Sequence, residues 1–248
     1  MSKVILITGA SRGIGAETAR LAAKRGYSLC LNYRSNQTAI DTLCDSLDID
    51  PAKLTRFQAD VAEESEVLAM FAHIDQTFGR LDGLVNNAGI LEKQSRLVEM
   101  SAERWRRILN VNVVGSFLCA REAVKRMSTD HGGPGGSIVN VSSRAADLGA
   151  ANEYVDYASA KGAIDALTTG LCNEVGNQGI RVNAVKPGLI YTEIHADGGE
   201  AGRVDRLKHT VPMQRGGTAT EVAEAIVWLL SDASSYTSGS FIDVSGGR

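Results

Sequence analysis

A glycine-rich turn near the start of the chain, set between an apolar run and a helix-forming run, constrains the fold most strongly. Residues 3–8 read Lys-Val-Ile-Leu-Ile-Thr, which is typical of a buried strand. The turn then carries Gly9, Gly13 and Gly15, and residues 16–22 are good helix formers. Glycine lets a backbone approach a phosphate closely, and a helix N-terminus offers it free N–H groups. The pattern predicts a dinucleotide-binding unit, with an ordinary tight turn as the alternative.

Strand-like runs alternate with helix-forming segments along the rest of the chain. The predicted strands cover residues 3–8, 28–33, 53–58, 81–86, 136–142, 180–186 and 240–244. The two longest predicted helices cover residues 102–128 and 154–177. Because strands and helices alternate, we predict an α/β fold in which helices cover both faces of a parallel sheet.

The overall composition argues against several classes of partner. The chain has 248 residues, of which 44% are hydrophobic and 22% charged, and its net charge is −3. This charge predicts no nucleic-acid partner and no attraction to an anionic membrane. No apolar run approaches the ~20 residues that span a bilayer, and no signal peptide is evident, so we expect a cytoplasmic protein. The four cysteines form no Cys-x-x-Cys pair, and no metal site is predicted.

Tyr157 and Lys161 lie four residues apart, a spacing that places both side chains on one face of a helix. A free phenol titrates near pH ~10, and a neighbouring ammonium lowers that pKa. The pair therefore predicts a tyrosine that acts as a general acid or base. The same spacing occurs on many solvated helices, which leaves a structural interpretation open for the pair taken alone.

The end of the second predicted strand bears on the choice of cofactor. A dinucleotide fold that prefers NAD often has an acidic residue here, which binds the ribose 2′-hydroxyl. The chain has no Asp or Glu between residues 25 and 40, whereas Arg34 lies at the strand end and Arg12 in the glycine turn. Two guanidiniums without an opposing carboxylate suit a 2′-phosphate. We therefore favour NADP(H), and NAD(H) stays open if Arg34 is a solvated loop charge.

Taken together, these motifs resemble those of the classical short-chain dehydrogenase/reductase family. The markers are Thr8-Gly9-x-x-x-Gly13-x-Gly15, Asp60-Val61, Asn86-Asn87-Ala88-Gly89, Asn112, Ser143, Tyr157-x-x-x-Lys161 and Pro187-Gly188. The resemblance runs from Lys3 to Gly247 and is similar in particular to 3-oxoacyl-acyl carrier protein reductases and glucose 1-dehydrogenases. In one departure, the interval from Ser143 to Tyr157 is one residue longer than is common in the family.

The resemblance implies the architecture and assembly of the protein. It implies a single-domain Rossmann fold over residues 1–248, with a doubly wound, seven-stranded parallel sheet in the order 3-2-1-4-5-6-7. It also implies a homotetramer in which the two long helices pack between subunits. Residues 191–213 are expected to form a helical lid over the substrate. The lid is polar, which favours a hydroxylated or charged small substrate, or else reflects a solvated surface.

The resemblance also implies roles for individual residues. Tyr157 would be the general acid or base, Lys161 would lower its pKa and bind the nicotinamide ribose, and Ser143 would stabilise the oxyanion. Asn112 would hold a water that links Lys161 to solvent. The residues implied to bind the cofactor are Gly9, Ser11, Arg12, Gly13, Ile14, Gly15, Asn32, Tyr33, Arg34, Ser35, Asp60, Val61, Asn87, Ala88, Gly89, Tyr157, Lys161, Pro187, Gly188, Ile190 and Thr192. An N-cap of the following helix is the alternative role for Asp60.

Together these motifs and the resemblance predict an NADP(H)-dependent oxidoreductase that transfers hydride between the nicotinamide and a small carbonyl or alcohol substrate. The specific activity is left open between a 3-oxoacyl-acyl carrier protein reductase and a sugar (glucose 1-) dehydrogenase. Residues 130–134 and 173–178 lack the Arg and Lys expected of the former, although Lys125 and Arg126 partly replace them. A non-catalytic NADP(H)-binding sensor is the alternative of another class.

Overall fold

Strands and helices alternate along residues 2–248, the part of the chain that the computed structural model describes; Met1, which the predicted domain includes, lies outside it. The strands are β1 (Val4–Ile7), β2 (Ser28–Tyr33), β3 (Leu54–Gln58), β4 (Gly83–Asn86), β5 (Gly136–Val141), β6 (Ile180–Pro187), β7 (Ile190–Tyr191), β8 (Gly217–Thr218) and β9 (Phe241–Val244). The helices are α1 (Gly13–Lys24), α2 (Gln37–Ser46), α3 (Glu64–Phe78), α4 (Ala102–Leu109), α5 (Gly115–Met127), α6 (Ala145–Leu148), α7 (Val155–Val175), α8 (Ile194–Asp197), α9 (Arg203–Leu207) and α10 (Ala219–Leu230).

Seven of the strands form one parallel sheet in the order β3-β2-β1-β4-β5-β6-β9. β9 takes the seventh place because β7 and β8 pair only with each other, in register at Ile190 and Gly217. The predicted fold class and strand order are therefore confirmed. β2 and β3 lie on one side of β1, whereas β4 and the strands after it lie on the other side. In open α/β sheets, ligands bind at such a switch point in the strand order.

Each face of the sheet buries its own apolar cluster, because alternate side chains of a strand point to opposite faces. On one face, Ile5 and Ile7 of β1 pack in a cluster that reaches α1, α2 and α10. On the other face, Leu6 packs in a cluster with side chains of α3 and α5, such as Phe71 and Leu118. Full burial of one such side chain contributes about 1.5–3 kcal/mol. The helices are thus held on both faces of the sheet.

The helix predicted over 102–128 is divided into α4 and α5 by a π-helical turn, Asn110–Val114. This segment contains two asparagines, Asn110 and Asn112, which favour a local distortion because the Asn side chain competes with the helix for backbone groups. The side chain of Asn112 indeed leaves the helix: its Oδ1 accepts from Ile90 N at 2.8 Å and its Nδ2 donates to Ile90 O at 3.0 Å. The turn therefore ties this helix to the loop that follows β4.

Candidate active site

The glycine turn after β1 is a close-packed structure in which three glycines are required. Gly9 and Gly13 have left-handed backbones, with φ of +62° and +55°, which favour glycine. A Cβ on Gly15 would lie 2.5 Å from Gly9 O and 2.6 Å from Asn87 Nδ2. Gly15 is therefore needed for the packing of α1 against the turn.

Side-chain amides from two other strands hold this turn in place. Asn87, directly after β4, donates from Nδ2 to Thr8 O at 2.8 Å and to Gly9 O at 3.0 Å. Asn32 of β2 accepts from Gly9 N at 3.2 Å and donates to Ala59 O at 3.0 Å. The carboxyl ends of four neighbouring strands are thus fixed relative to one another, and they form the floor of a cleft.

The cleft has a volume of about 410 Å³ and is lined by most of the predicted cofactor-binding residues. Those that line it are Gly9, Ser11, Arg12, Gly13, Ile14, Asn32, Arg34, Ser35, Asp60, Val61, Asn87, Ala88, Gly89 and Thr192. Gly15 and Tyr33 lie outside this lining. Gly15 is enclosed by the turn itself, and the Tyr33 side chain points into the core, where its hydroxyl donates to Gln37. The Tyr33 side chain thus packs in the core and does not line the cleft.

Both arginines predicted to face the cofactor line the cleft, but each lies beside a carboxylate. Arg12 pairs with Asp197, and Arg34 Nη1 lies 3.9 Å from Asp60 Oδ2. The expectation of guanidiniums without an opposing carboxylate is therefore wrong, because both acids come from distant parts of the chain. All four side chains are partly exposed, and exposed ion pairs contribute only about 0–1 kcal/mol. A phosphate, which binds a guanidinium more strongly, can therefore displace the carboxylate from such a pair.

Asp60 does not cap α3, which was its alternative interpretation. The N-cap position of α3 is Glu63, and the carboxylate of Asp60 accepts from Ala62 N at 3.0 Å in the turn before it. Its other contact is Arg34, across the cleft. Asp60 therefore stands on the cleft wall between β3 and α3.

A second cavity, of about 150 Å³, brings three of the predicted catalytic residues together. Ser143, Tyr157 and Lys161 line it, together with Pro187, Gly188 and Ile190. It adjoins the cleft, since Ile14, Asn87, Gly89, Thr192 and Ile194 line both. The predicted residues that line the cleft and the cavity therefore form one continuous site at the carboxyl edge of the sheet.

Asn112 lies behind this cavity, where it does not line the wall. A Cβ on Gly89 would be 3.2 Å from Asn112 Oδ1 and 3.8 Å from Lys161 Nζ, so Gly89 separates the two side chains. Both polar atoms of the Asn112 amide bind the backbone of Ile90. The amide thus fixes the backbone of Ile90, and the role of Asn112 in holding a water stays a prediction.

Tyr157 is positioned by the first turn of α7. Asp156 Oδ1 accepts from Tyr157 N at 2.9 Å, and Asp156 Oδ2 accepts from Arg104 Nε of α4 at 2.6 Å. Asp156 is fully buried, so this ion pair and hydrogen bond fix where the helix begins. In the turn before α7, Ala150 and Asn152 have left-handed backbones.

Ser143 and Lys161 are positioned from β5. The neighbouring Ser142 donates to Asp165 Oδ1 at 2.6 Å, which leaves Ser143 as the serine beside the phenol. Lys161 Nζ donates to Val141 O at 2.7 Å and lies 5.5 Å from the centroid of the Tyr157 ring. The lysine is therefore held next to the tyrosine by a backbone carbonyl.

Burial dominates the proton affinities of this pair. It raises the pKa of Tyr157 to about 12, and it outweighs the opposing effects of a hydrogen bond with Ser143 and the positive charge of Arg203. Burial also lowers the pKa of Lys161 to about 8, against the opposing charge of Asp165. The predicted lowering of the Tyr157 pKa by Lys161 is therefore wrong for this structure. The phenol keeps its proton at neutral pH.

Further residues reach the cavity from the turn before α7 and from the predicted lid, residues 191–213. Tyr154, His195 and Arg203 line the catalytic cavity, and Arg203 also lines an adjoining cavity of about 300 Å³ that includes Arg144 and Glu153. They come from the turn before α7 and from α8 and α9. No local spacing joins them, so only the tertiary fold brings them to Tyr157.

A short-chain dehydrogenase profile, described as enoyl-(acyl carrier protein) reductase, matches residues 9–248. The chain belongs to the short-chain dehydrogenase/reductase family. Over 99% of both chains, it is 57% identical to an uncharacterized oxidoreductase, YgfF, of Escherichia coli K12. It is 35% identical to glucose 1-dehydrogenase 2 of Bacillus subtilis 168, over 99% of this chain and 94% of the relative. The predicted family and oxidoreductase class are confirmed.

A solved member of the family has the same fold. The structure of ElxO with NADP bound superposes with a TM-score of 0.89 at 33% identity, covering 100% of this chain and 98% of that one. A tyrosine-to-phenylalanine variant of ElxO with NADPH bound matches equally well.

Within residues 2–248, every helix is too short or too polar to cross a membrane. The same residues contain no group of three or more His, Cys, Asp or Glu side chains arranged to hold a metal ion.

Proposed function

We propose that the protein is an NADP(H)-dependent oxidoreductase that transfers hydride between the nicotinamide and a small carbonyl or alcohol substrate. The observation that carries the proposal is the position of Ser143, Tyr157 and Lys161 on the wall of a cavity that opens into the cleft at the glycine turn. A dinucleotide lying along the cleft ends at that cavity.

The cleft fits a dinucleotide phosphate in three respects. The left-handed Gly9 and Gly13 expose the backbone, and the N-terminus of α1 directs its free N–H groups to the same place. Arg12 and Arg34 supply positive charge at the rim. The exposed carboxylates beside them are weak partners, which a 2′-phosphate displaces. When bound, the cofactor supplies or accepts the hydride.

The side chains of the cavity handle the proton. In the reducing direction, the protonated Tyr157 hydroxyl donates its proton to the carbonyl oxygen, and Ser143 donates a hydrogen bond to that oxygen as charge develops. Lys161, with a pKa of about 8, exchanges a proton near neutral pH and returns one to the phenolate. Asn112 supports this relay by holding the backbone of Ile90, and with it Gly89, beside Lys161.

The ion pairs of Lys125 and Arg126, in the last turn of α5, favour a small substrate over an acyl carrier protein. Lys125 Nζ lies 2.8 Å from Glu122 Oε1, and Arg126 pairs with Glu122 and with Asp75 at 2.7 Å. These cations are therefore neutralised within the chain, which weakens the surface that an acidic carrier protein requires.

The proposal includes a homotetramer, with the helix of α4 and α5 as one contact surface. α5 and the π-turn before it expose Phe117 and Val114, which are apolar and 46% and 39% exposed. Light scattering of the purified protein measures the assembly: four chains per particle is the expected result, and a monomer contradicts it.

The function is tested by following NADPH absorbance with a panel of aldehydes, ketones, sugars and acyl thioesters, and by repeating each assay with NADH. We expect NADPH oxidation with one or more small carbonyl compounds, and faster turnover with NADPH than with NADH. If the protein binds NADPH tightly yet oxidises it with no member of the panel, the sensor interpretation replaces this proposal.

A further inference from the structure

Three arginines line the cavity of about 300 Å³ that adjoins the catalytic cavity. They are Arg144, Arg203 and Arg248. Glu153 is the one acidic residue among those that line it. Ser143 and Arg203 line both cavities, so a substrate whose carbonyl group lies beside Ser143 can extend into this second cavity. Its excess of positive charge favours a negatively charged ligand.

Arg144 is held by partners within the chain. Its Nη1 donates to Asp147 Oδ2 at 2.7 Å and to Asp243 Oδ2 at 3.0 Å. Its Nε donates to Arg248 O at 2.8 Å. The two carboxylates therefore neutralise Arg144, and Arg144 in turn holds the backbone of Arg248 at the cavity.

Glu153 is neutralised by two other guanidiniums. Arg203 Nη2 donates to its carboxylate, and Arg206 Nη2 lies 3.4 Å from Glu153 Oε1. The guanidinium of Arg203 also lies over the Tyr154 ring, 5.4 Å from its centroid, which fixes the orientation of the group. Because Glu153 has two cations of its own, it does not neutralise Arg248.

The guanidinium of Arg248 has no acidic partner. Within residues 2–248, only the backbone of Arg248 takes part in hydrogen bonds: its N donates to Ser245 O, and its O accepts from Arg144 and Ser245. Nη1 of Arg203 also lacks a partner. Among the described residues, the fully buried side-chain nitrogens without a partner are only His195 Nδ1 and Arg203 Nε, so these other guanidinium nitrogens keep accessible surface.

The charges of Arg248 and Arg203 affect each other. Burial lowers the pKa of Arg248, the positive charge of Arg203 lowers it further, and the negative charge of Glu153 opposes both effects. An arginine nevertheless stays protonated in a protein. Two partly buried cations therefore line one cavity, and an anion bound between them would relieve their repulsion.

We propose that Arg248 and Arg203 form a subsite that binds an anionic group of the substrate, a carboxylate or a phosphate. A guanidinium binds either group through charge-assisted hydrogen bonds, which are stronger than neutral ones. Leu148, Leu189 and Leu207 line the same cavity and suit the carbon chain between that group and the carbonyl. This inference rests on the proposed function and narrows its substrate class to aldehydes and ketones that carry a carboxylate or a phosphate.

The test compares carbonyl compounds that differ in charge at nearly constant size. Succinic semialdehyde is paired with its methyl ester, and acetoacetate with methyl acetoacetate, and kcat/KM is measured for each with NADPH. Glyceraldehyde 3-phosphate paired with glyceraldehyde is the phosphate arm. We expect wild type to favour the anionic member by at least about tenfold in one of the two arms, which then identifies the anion as carboxylate or phosphate.

Variants of Arg248 test the subsite directly. Arg248→Met removes the charge and keeps the backbone contacts, and the ratio of kcat/KM values within a pair should fall below about threefold. Arg248→Lys keeps the charge without the forked geometry and should retain part of the ratio. Lys24→Met is the matched control, because it removes the same charge from an exposed residue at the end of α1, outside the cavity. Its ratio should equal that of wild type.

A binding measurement tests the subsite without turnover. Succinamate has the carboxylate of succinic semialdehyde and an amide in place of the aldehyde, and succinamide is its neutral counterpart. Titration calorimetry on protein saturated with NADP should show that succinamate binds at least about tenfold more tightly, and Arg248→Met should remove most of this difference.

The outcomes separate this inference from the proposed function. NADPH affinity, measured by fluorescence in each variant, reports whether its fold is intact. Equal kcat/KM for the members of every pair in wild type overturns the subsite, as does an unchanged ratio in a folded Arg248→Met protein. If no carbonyl compound is turned over, the proposed function fails, and the succinamate titration alone then supports or overturns the anion subsite.

Discussion

The nucleotide side and the substrate side of the site differ in how their polar groups are satisfied. At the glycine turn, Asn32 and Asn87 use their amides on backbone atoms of neighbouring strands, and the glycines pack at contact distance. In the catalytic cavity, Lys161 is a buried cation, and His195 and Arg203 keep unpaired nitrogens.

The two sides are therefore suited to different tasks. The nucleotide side is built for a fixed backbone shape, because a phosphate is bound mainly by N–H groups and geometry. The substrate side carries desolvated titratable groups, and burial shifts the pKa values of Tyr157 and Lys161 away from their ordinary values. We expect mutations on the first side to change folding and cofactor binding, and mutations on the second to change chemistry.

The largest expected effect is on the substrate side. Tyr157→Phe removes the hydroxyl that donates the proton, and kcat should fall by about 10²–10⁴-fold. The dissociation constant of NADPH, measured by fluorescence, should stay within about threefold of wild type, because the phenyl ring keeps its packing. A variant with near-normal kcat would contradict the assignment of Tyr157 as the acid.

The buried charge of Lys161 should make stability depend on pH. Its pKa is about 8 in the folded protein and ordinarily 10.5, so the unfolded chain binds more protons between these values. Stability therefore rises with pH across this window as the cost of burying the cation is relieved. Between pH 8 and 10 the gain is about 2–3 kcal/mol.

Chemical denaturation of wild type and of Lys161→Met at each pH isolates this contribution. The variant is neutral throughout, so the difference in unfolding free energy between the two proteins should shift in favour of wild type as the pH rises from 8 to 10. The pKa of Tyr157 is about 12 in the folded protein and ordinarily 10.0. In the unfolded chain its hydroxyl therefore loses the proton only near the top of this pH range. A difference that stays constant with pH would mean that Lys161 is not desolvated.

On the nucleotide side, Gly15→Ala should destabilise the fold. The new Cβ would lie 2.5 Å from Gly9 O, and the turn must open to accept it. Overpacking of this kind costs about 1–3 kcal/mol, measured as a lower unfolding free energy, and NADPH affinity should fall with it.

Gly170→Ala in α7 is the matched control, since a Cβ there meets no atom within 4 Å. It should be neutral or stabilising by up to about 1 kcal/mol. Equal effects of the two changes would show that the turn is not close-packed.

The two sides also differ in how far the sequence predicts them. The glycine turn and the Tyr157–Lys161 pair are local patterns, because a strand–turn–helix junction and a helical turn each set the geometry of nearby residues. The paired asparagines at 110 and 112 likewise predicted the distortion that the π-turn shows. The strand order and family were therefore predictable from such patterns and the resemblance they support.

What the sequence did not predict depends on residues that only the fold brings together. Asp60 and Asp197 face Arg34 and Arg12 from distant segments, so no local count of charges finds them. The pKa of Tyr157 follows from its burial, which no four-residue spacing contains. His195 lies within the lid predicted over residues 191–213, but its tautomer is set by Ile190 O and the cavity that it lines is formed by other segments as well.

The smallest expected effect concerns the rim of the cleft, where the two arginines proposed to face the cofactor form weak, partly exposed ion pairs. Arg34→Leu removes one of the two guanidiniums proposed to face a 2′-phosphate, and the ratio of kcat/KM with NADPH to that with NADH should fall by about tenfold, the value of one partly exposed charge-assisted hydrogen bond. Arg56→Leu is the control, because Arg56 has a similar exposure, also pairs with an aspartate (Asp41, at 2.8 Å) and lies outside the cleft. Its NADPH-to-NADH ratio should equal that of wild type. An Arg34 variant with the wild-type ratio would assign the phosphate to Arg12 alone, and the rim would then have one functional cation where the structure places two.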